Sequence, residues 1–209
     1  MIDDLYKKQM DGLWDRLGRR VARTGLTPNG VTRIAFVLSL ANSALFLWHR
    51  RPVLYGIALA VIEALDNLDG AVARVTKTSS RYGSYLDATT DRYKEVASLL
   101  AVAVVFDYWP ISFLAVTGSL LVSYNHARAA VEGARGKGFG PDLFERFERV
   151  AVLALGLALR PLLPSGIFFG HDAVFGALAL IAAFSHATAV QRFLRARRAL
   201  LEKSGAERS

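Results

Sequence analysis

Apolar residues along the chain fall into six blocks separated by short polar or basic stretches. They run from about Val31 to Trp48, Pro52 to Val75, Tyr82 to Phe106, Ile111 to Ala130, Leu143 to Leu163 and Ala173 to Phe193. Each is near the ~20 residues that a helix needs to cross the hydrocarbon core of a bilayer. Pro52 suits the first turn of the second helix, and Pro164 closes the fifth. Ahead of the first block, Ile2, Leu5, Tyr6, Leu13, Trp14, Leu17 and Val21 recur at helical spacing, with Lys7, Lys8, Arg16, Arg19, Arg20 and Arg23 between them. That is the pattern of a helix lying in a membrane interface, the alternative being a helix packed on a partner protein. Thr27-Pro28-Asn29-Gly30 ends this helix and starts the first span. The pattern predicts an all-α integral membrane protein. An amphipathic juxtamembrane helix occupies residues 1–26, six transmembrane helices occupy 27–198, and a polar tail occupies 199–209.

Two of the blocks break the apolar rule. The second ends in DNLDGAVAR, Asp66 to Arg74, and the third begins with GSYLDATTD, Gly83 to Asp91. A carboxylate at membrane depth is costly and marks a functional site by default. Asp66, Asp69, Gly70 and Ala73 share one helical stripe, and Gly83, Asp87 and Asp91 follow at i, i+4 and i+8 on another. The short turn between them, Thr76 to Ser80, makes the two helices antiparallel neighbours, so the stripes can converge. Facing carboxylates suit divalent cations such as Mg2+, Mn2+ or Ca2+, and four aspartates in contact could not all stay ionised without them. Two divalent ions would balance the charge. Gly70, Ala71, Ala73 and Gly83 remove bulk beside the acids, which lets a ligand's phosphates approach the backbone. Arg74, one turn past Gly70, can hold a phosphate with its planar fork. Small-residue helix packing would also account for the glycines and alanines, but not for the aspartates and the arginine among them.

Composition agrees with a membrane protein. Hydrophobic residues make up 53% of the 209 residues, yet the formal charge is +8 at pH 7. The basic residues lie mostly between apolar blocks, as in cytoplasmic loops, rather than in the basic stripe of a nucleic-acid-binding domain. No nucleic-acid partner is expected. The count of Lys and Arg places both termini and the acidic cluster on the cytoplasmic side of the cell membrane. No cysteine is present, which excludes disulfides, thiol catalysis and Cys-ligated zinc. The N-terminal stretch lacks the short apolar core of a cleavable signal peptide.

The string from Asp66 to Asp91 reads D-x-x-D-G-x-x-A-R, eight residues, then G-x-x-x-D-x-x-x-D. This resembles the signature of the CDP-alcohol phosphotransferases, integral-membrane phospholipid synthases. Asp66, Asp69, Gly70, Ala73, Arg74, Gly83, Asp87 and Asp91 fill its fixed positions. The resemblance implies that an alcohol hydroxyl attacks the β-phosphorus of a CDP-linked lipid and releases CMP, with no covalent enzyme intermediate. It implies two Mg2+ or Mn2+ ions on Asp66, Asp69, Asp87 and Asp91, and Asp91 as the catalytic base. It places Asp66, Gly70, Ala73, Arg74, Gly83 and Asp87 against the CDP portion. Members of the family are commonly homodimers, and a homodimer among membrane lipids is expected here.

Acceptor choice must rest further along the chain. Arg149 heads an apolar helix, where a charge asks for a partner and a phosphate is a natural one. SYNHARAAVEG, followed by ERFER, is similar to the inositol-phosphate-using members, whose pattern resembles SYxKARAE and ERxER. Carried across by position, Arg128, Arg146, Arg149, Arg192 and His126 would bind the phosphate of the acceptor. His126 stands where that pattern has lysine. A histidine can be neutral near physiological pH, so the acceptor stays open between inositol 1-phosphate and glycerol 3-phosphate. A membrane prenyltransferase and a divalent-cation carrier would also use intramembrane aspartates, but neither explains Gly-x-x-Ala-Arg. Lys137 is read as loop charge, Lys94 as the partner of a nearby carboxylate, and His186 as an interhelical hydrogen-bonding residue. Glu63 and Glu95 extend the acidic stripes outside the signature. Asn29 and Thr32 could reach a nucleotide from the start of the first span, and helix capping is the plainer role for Asn29.

Overall fold

The computed structural model describes residues 2–134, 143–164, 166–168 and 170–206, and their side chains from residue 12 to 202. Lys137 lies outside the described residues. Regular structure among them is helical: α1 (Ile2–Arg23), α2 (Pro28–His49), α3 (Pro52–Asp66), α4 (Leu68–Thr76), α5 (Arg81–Phe106), α6 (Trp109–Val131), α7 (Arg146–Leu159) and α8 (Ala173–Ala206). Five of the six apolar blocks therefore become one helix each, four of them within a few residues of the expected bounds and the sixth continuing well past Phe193. The second does not: it divides at Asn67 into α3 and α4. The side-chain amide of Asn67 donates to the Glu63 carbonyl at 3.1 Å, the carbonyl that its own N–H reaches at 3.4 Å. Side-chain competition for an i−4 carbonyl loosens the helical ladder at that point. The break falls between Asp66 and Asp69 and so inside the acidic stripe. At the other end of the chain, α8 stays helical through Ala206, across residues expected to form a polar tail.

Among the described residues, two helices are long and apolar enough to cross a membrane, Pro28–His49 and Ala173–Glu202. Three of the other blocks fall short for visible reasons: the second is broken, α5 carries Asp87, Asp91, Arg92, Lys94 and Glu95, and α7 has 14 residues.

The chain forms two compact units, Met1–His49 with Ile57–Ser98, and Arg50–Gly56 with Leu99–Ser209. In the first, α1 and α2 both pack on α4. Trp14, Leu17, Val21 and Ala22 lie against a buried cluster of Val31, Leu68 and Val72. The backbones approach closely where Gly18 meets α4: a Cβ on it would lie 2.9 Å from the carbonyl carbon of Ala71. Much of the apolar stripe of α1 thus faces protein, while Leu13 remains half exposed. Thr27 caps α2, its Oγ1 accepting the Gly30 N–H at 3.1 Å, with Pro28 as the first helical residue.

In the second unit, α8 packs along α6 and α7. Three side chains tie α8 to α6: the Asn125 amide donates to the Ala189 carbonyl at 2.9 Å, Arg192 donates to the Val122 carbonyl at 2.7 Å, and His186 Nε2 lies 3.2 Å from the Leu114 carbonyl. His186 is therefore interhelical, as expected. Asp172 starts α8 by accepting the N–H groups of Val174 and Phe175 and also pairs with Arg160 at 2.6 Å. The two glutamates of ERFER form a capping box at the start of α7, with the Glu145 N–H on Glu148 at 3.0 Å.

Candidate active site

The kink at Asn67 and the turn after α4 bring the acidic stripes together. α4 ends in a Schellman turn, with Lys77 in the left-handed region (φ 56°), the Thr78 N–H on the Ala73 carbonyl at 3.1 Å and the Lys77 N–H on the Arg74 carbonyl at 3.3 Å. Ser80 then caps α5, its Oγ accepting the Gly83 N–H at 3.0 Å. The chain reverses in these few residues, and Asp87 comes to face α3 and α4. Asp66, Asp69 and Asp87 each offer one carboxylate oxygen, and these three atoms lie within 4.8 Å of one another. One divalent cation with oxygen contacts of about 2.0–2.6 Å can bridge such a set. The donor set is all carboxylate, which suits a hard cation.

Two further groups hold the carboxylates in place. Thr32 is buried, and its hydroxyl lies 2.6 Å from Asp69 Oδ2 and 3.1 Å from the Pro28 carbonyl. The other Asp69 oxygen accepts the Gly70 N–H. Lys94 is 1% exposed, and its ammonium pairs with Asp66 and, at 2.9 Å, with Asp91. The pairing expected of Lys94 is thus present, with two carboxylates rather than one. Asp91 is not among the three clustered acids. It sits one turn further along α5 and faces Lys94, with Arg92 at 3.9 Å. Glu95 pairs with Arg92 at 3.4 Å.

A cavity of about 280 Å3 opens beside the cluster. Asp69, Gly70, Ala73, Arg74, Gly83 and Asp87 line it, and so do Asn29 and Thr32. A Cβ on Gly70 would meet only an Arg74 nitrogen, at 3.6 Å. Its smallness therefore leaves room in the cavity and serves no helix contact, which separates ligand approach from helix packing at this position. Gly83 is tighter, with the Asn29 Oδ1 3.0 Å from where a Cβ would stand. The first turns of both α2 and α5 reach the cavity, so the positive ends of two helix dipoles adjoin it. Arg74 is half exposed and 3.5 Å from Asp15 of α1. Pro28 and the hydroxyl-bearing Thr78, Ser79, Ser80 and Ser84 also line the cavity. Sequence reasoning passed over these hydroxyl residues, although the run Thr78-Ser79-Ser80 between the two signature halves was a usable signal. The arrangement combines acids for a cation with positive and hydroxyl groups for phosphates.

The residues expected to bind the acceptor phosphate lie on α6, α7 and α8. Arg149 is buried and donates to the Phe144 carbonyl at 3.4 Å, and Arg192 reaches Val122 as described above. Arg146 is half-buried and His126 exposed. Arg128 pairs with Glu132 and lines a cavity of about 350 Å3 together with Asn125, Phe193, Arg197 and Leu201. None of the other four expected residues lines that cavity. Arg197, which does, went unmarked because nothing in the sequence relates it to Arg128.

Comparison with known proteins agrees with the geometry. A family model described as CDP-alcohol phosphatidyltransferase matches residues 25–190, and the chain belongs to that family. It is a transferase of phospholipid biosynthesis. An archaetidylinositol phosphate synthase of Pyrococcus horikoshii is 34% identical over 187 residues, covering 89% of this chain and 92% of its own. A phosphatidylinositol phosphate synthase of Corynebacterium glutamicum is 27% identical, covering 94% and 90%. The solved structure of Mycobacterium tuberculosis phosphatidylinositol phosphate synthase with CDP-DAG bound superposes with a TM-score of 0.73 at 26% identity, covering 88% of this chain and 92% of that one. The same enzyme in complex with manganese and citrate gives a TM-score of 0.74.

Proposed function

We propose that this protein transfers the phosphatidyl-type group of a CDP-linked lipid, CDP-diacylglycerol or CDP-archaeol, to the hydroxyl of inositol 1-phosphate, with release of CMP. The observation that carries this reading is the single cavity in which Arg74, two helix N-termini and Gly70 adjoin the Asp66, Asp69 and Asp87 carboxylates. Arg74 and the first turns of α2 and α5 bind the phosphates of the donor, and Gly70, Ala73 and Gly83 leave room for the CDP portion. Two Mg2+ or Mn2+ ions held by Asp66, Asp69, Asp87 and Asp91 would neutralise the pyrophosphate and the departing CMP. Asp91 receives the proton of the attacking hydroxyl. Arg128, Arg146, Arg149, Arg192 and His126 hold the phosphate of the acceptor. The enzyme sits in the cell membrane as a six-span homodimer, with both termini and the active site cytoplasmic and α1 at the membrane interface. Two named relatives make inositol phosphate lipids, which supports the acceptor.

Glycerol 3-phosphate is the second reading, favoured by His126 in place of lysine. An acceptor panel tests both: inositol 1-phosphate, glycerol 3-phosphate, serine and inositol, scored by CMP release from the CDP-lipid. Inositol 1-phosphate is expected to give the highest kcat/KM. Preference for an unphosphorylated alcohol would overturn the arginine assignment.

A further inference from the structure

A lysine with 1% exposure is an anomaly that the transfer reaction does not require. Lys94 lies on α5 one turn past Asp91, and its ammonium pairs with Asp66 and with Asp91 at 2.9 Å. A buried ammonium is tolerated only when its charge is matched at close range. The same holds for the aspartates, of which Asp66 and Asp91 are nearly buried. Arg92 also approaches Asp91, at 3.9 Å, but its side chain is 25% exposed and shared with Glu95. Lys94 is therefore the cation best placed to offset charge inside the cluster.

We propose that Lys94 is a built-in counter-ion of the aspartate cluster. It holds Asp66 and Asp91 in register while the site is free of metal, and it is a positioning residue rather than a catalytic one. This rests on the reading of the cluster as a divalent-metal site. If it holds, removing the ammonium leaves the carboxylates repelling one another in the metal-free protein, and a bound cation relieves that repulsion. Loss of Lys94 should then destabilise the metal-free form more than the loaded form. By linkage the remaining carboxylates bind a cation more tightly.

The test uses full-length protein purified in detergent and stripped of metal, with Mn2+ as the probe. Thermal unfolding is followed with and without Mn2+, and the Mn2+ Kd is read from the electron paramagnetic resonance of the free ion. In Lys94→Met the metal-free midpoint should fall, the rise produced by Mn2+ should exceed that of wild type, and the Kd should tighten by roughly tenfold. Adding Asp91→Asn to Lys94→Met should restore part of the metal-free midpoint, which a packing defect would not do. Arg92→Gln should shift both quantities less. If Lys94→Met folds only when Mn2+ is present throughout purification, the inference stands. If it fails to fold in either condition, or if both midpoints fall equally, the inference is overturned. Wild-type protein that binds no Mn2+ would remove the metal reading and this inference with it. Mn2+ binding by wild type with an unchanged or weaker Kd in Lys94→Met removes the inference alone.

Discussion

Gly70→Ala separates the two explanations of the small residues in the signature. Gly70 lies in the first turn of α4, has no positive φ, and faces open space apart from an Arg74 nitrogen at 3.6 Å. An alanine there meets no backbone and adopts the helical conformation without strain. Replacing glycine by alanine within a helix stabilises by about 0.5–1 kcal/mol. For a chain of this size that corresponds to a rise of roughly 1–4 °C in the unfolding midpoint. The added methyl instead occupies the cavity where donor phosphates would lie. A loss of roughly tenfold in kcat/KM for the CDP-lipid, equivalent to about 1.4 kcal/mol, is expected from one displaced contact. Thermal unfolding in detergent and CMP release across a range of CDP-lipid concentrations measure the two effects on the same preparation. Unchanged kinetics with a lower midpoint would show that Gly70 serves packing, and the cavity argument would fail.

Three other substitutions probe separate parts of the structure. Thr32→Val keeps shape but removes the hydroxyl 2.6 Å from Asp69; Mn2+ affinity should drop by roughly tenfold or more, as for other partners that orient metal ligands, and isothermal titration checks it. Gly18→Leu should lower stability by about 1–3 kcal/mol through overpacking against the α4 backbone, read as a lower unfolding midpoint and faster proteolysis after α1. Asp172→Ala removes the cap of α8 and the partner of Arg160; a loss of about 1–2 kcal/mol is expected, with kcat unchanged in the CMP-release assay.

The helices were legible because apolar block length and capping residues carry the same message. Thr27-Pro28 and Pro52 start helices where they should. The break at Asn67 was not legible, since it depends on a side-chain amide choosing the Glu63 carbonyl rather than solvent. The metal-type cluster was readable from spacing because Asp66 and Asp69 stay close across the break at Asn67, and a short turn after α4 returns Asp87 on α5 toward them. Thr32 and Lys94 show the limit: the Asp69 and Asp66 that they meet stand 37 and 28 residues away in sequence, and only packing of α2 and α5 beside α3 and α4 brings them together. The apolar stripe of α1 was visible, but not that Trp14, Leu17 and Val21 would find Val31, Leu68 and Val72. A hydrophobic stripe states that burial is favourable without stating against what.

On the proposed function, the Asp66, Asp69 and Asp87 cluster and its adjoining cavity transfer a lipid phosphoryl group from a CDP donor. CMP release by the wild-type chain and by Asp69→Asn, each with CDP-lipid and inositol 1-phosphate, with Mn2+ or with EDTA, tests it most directly. Release that requires both the ion and the acceptor, and that falls by at least about a hundredfold in Asp69→Asn, is the result predicted for a group that stabilises the transferring phosphate. CMP release that persists in EDTA, or that Asp69→Asn leaves at the wild-type rate, would contradict it.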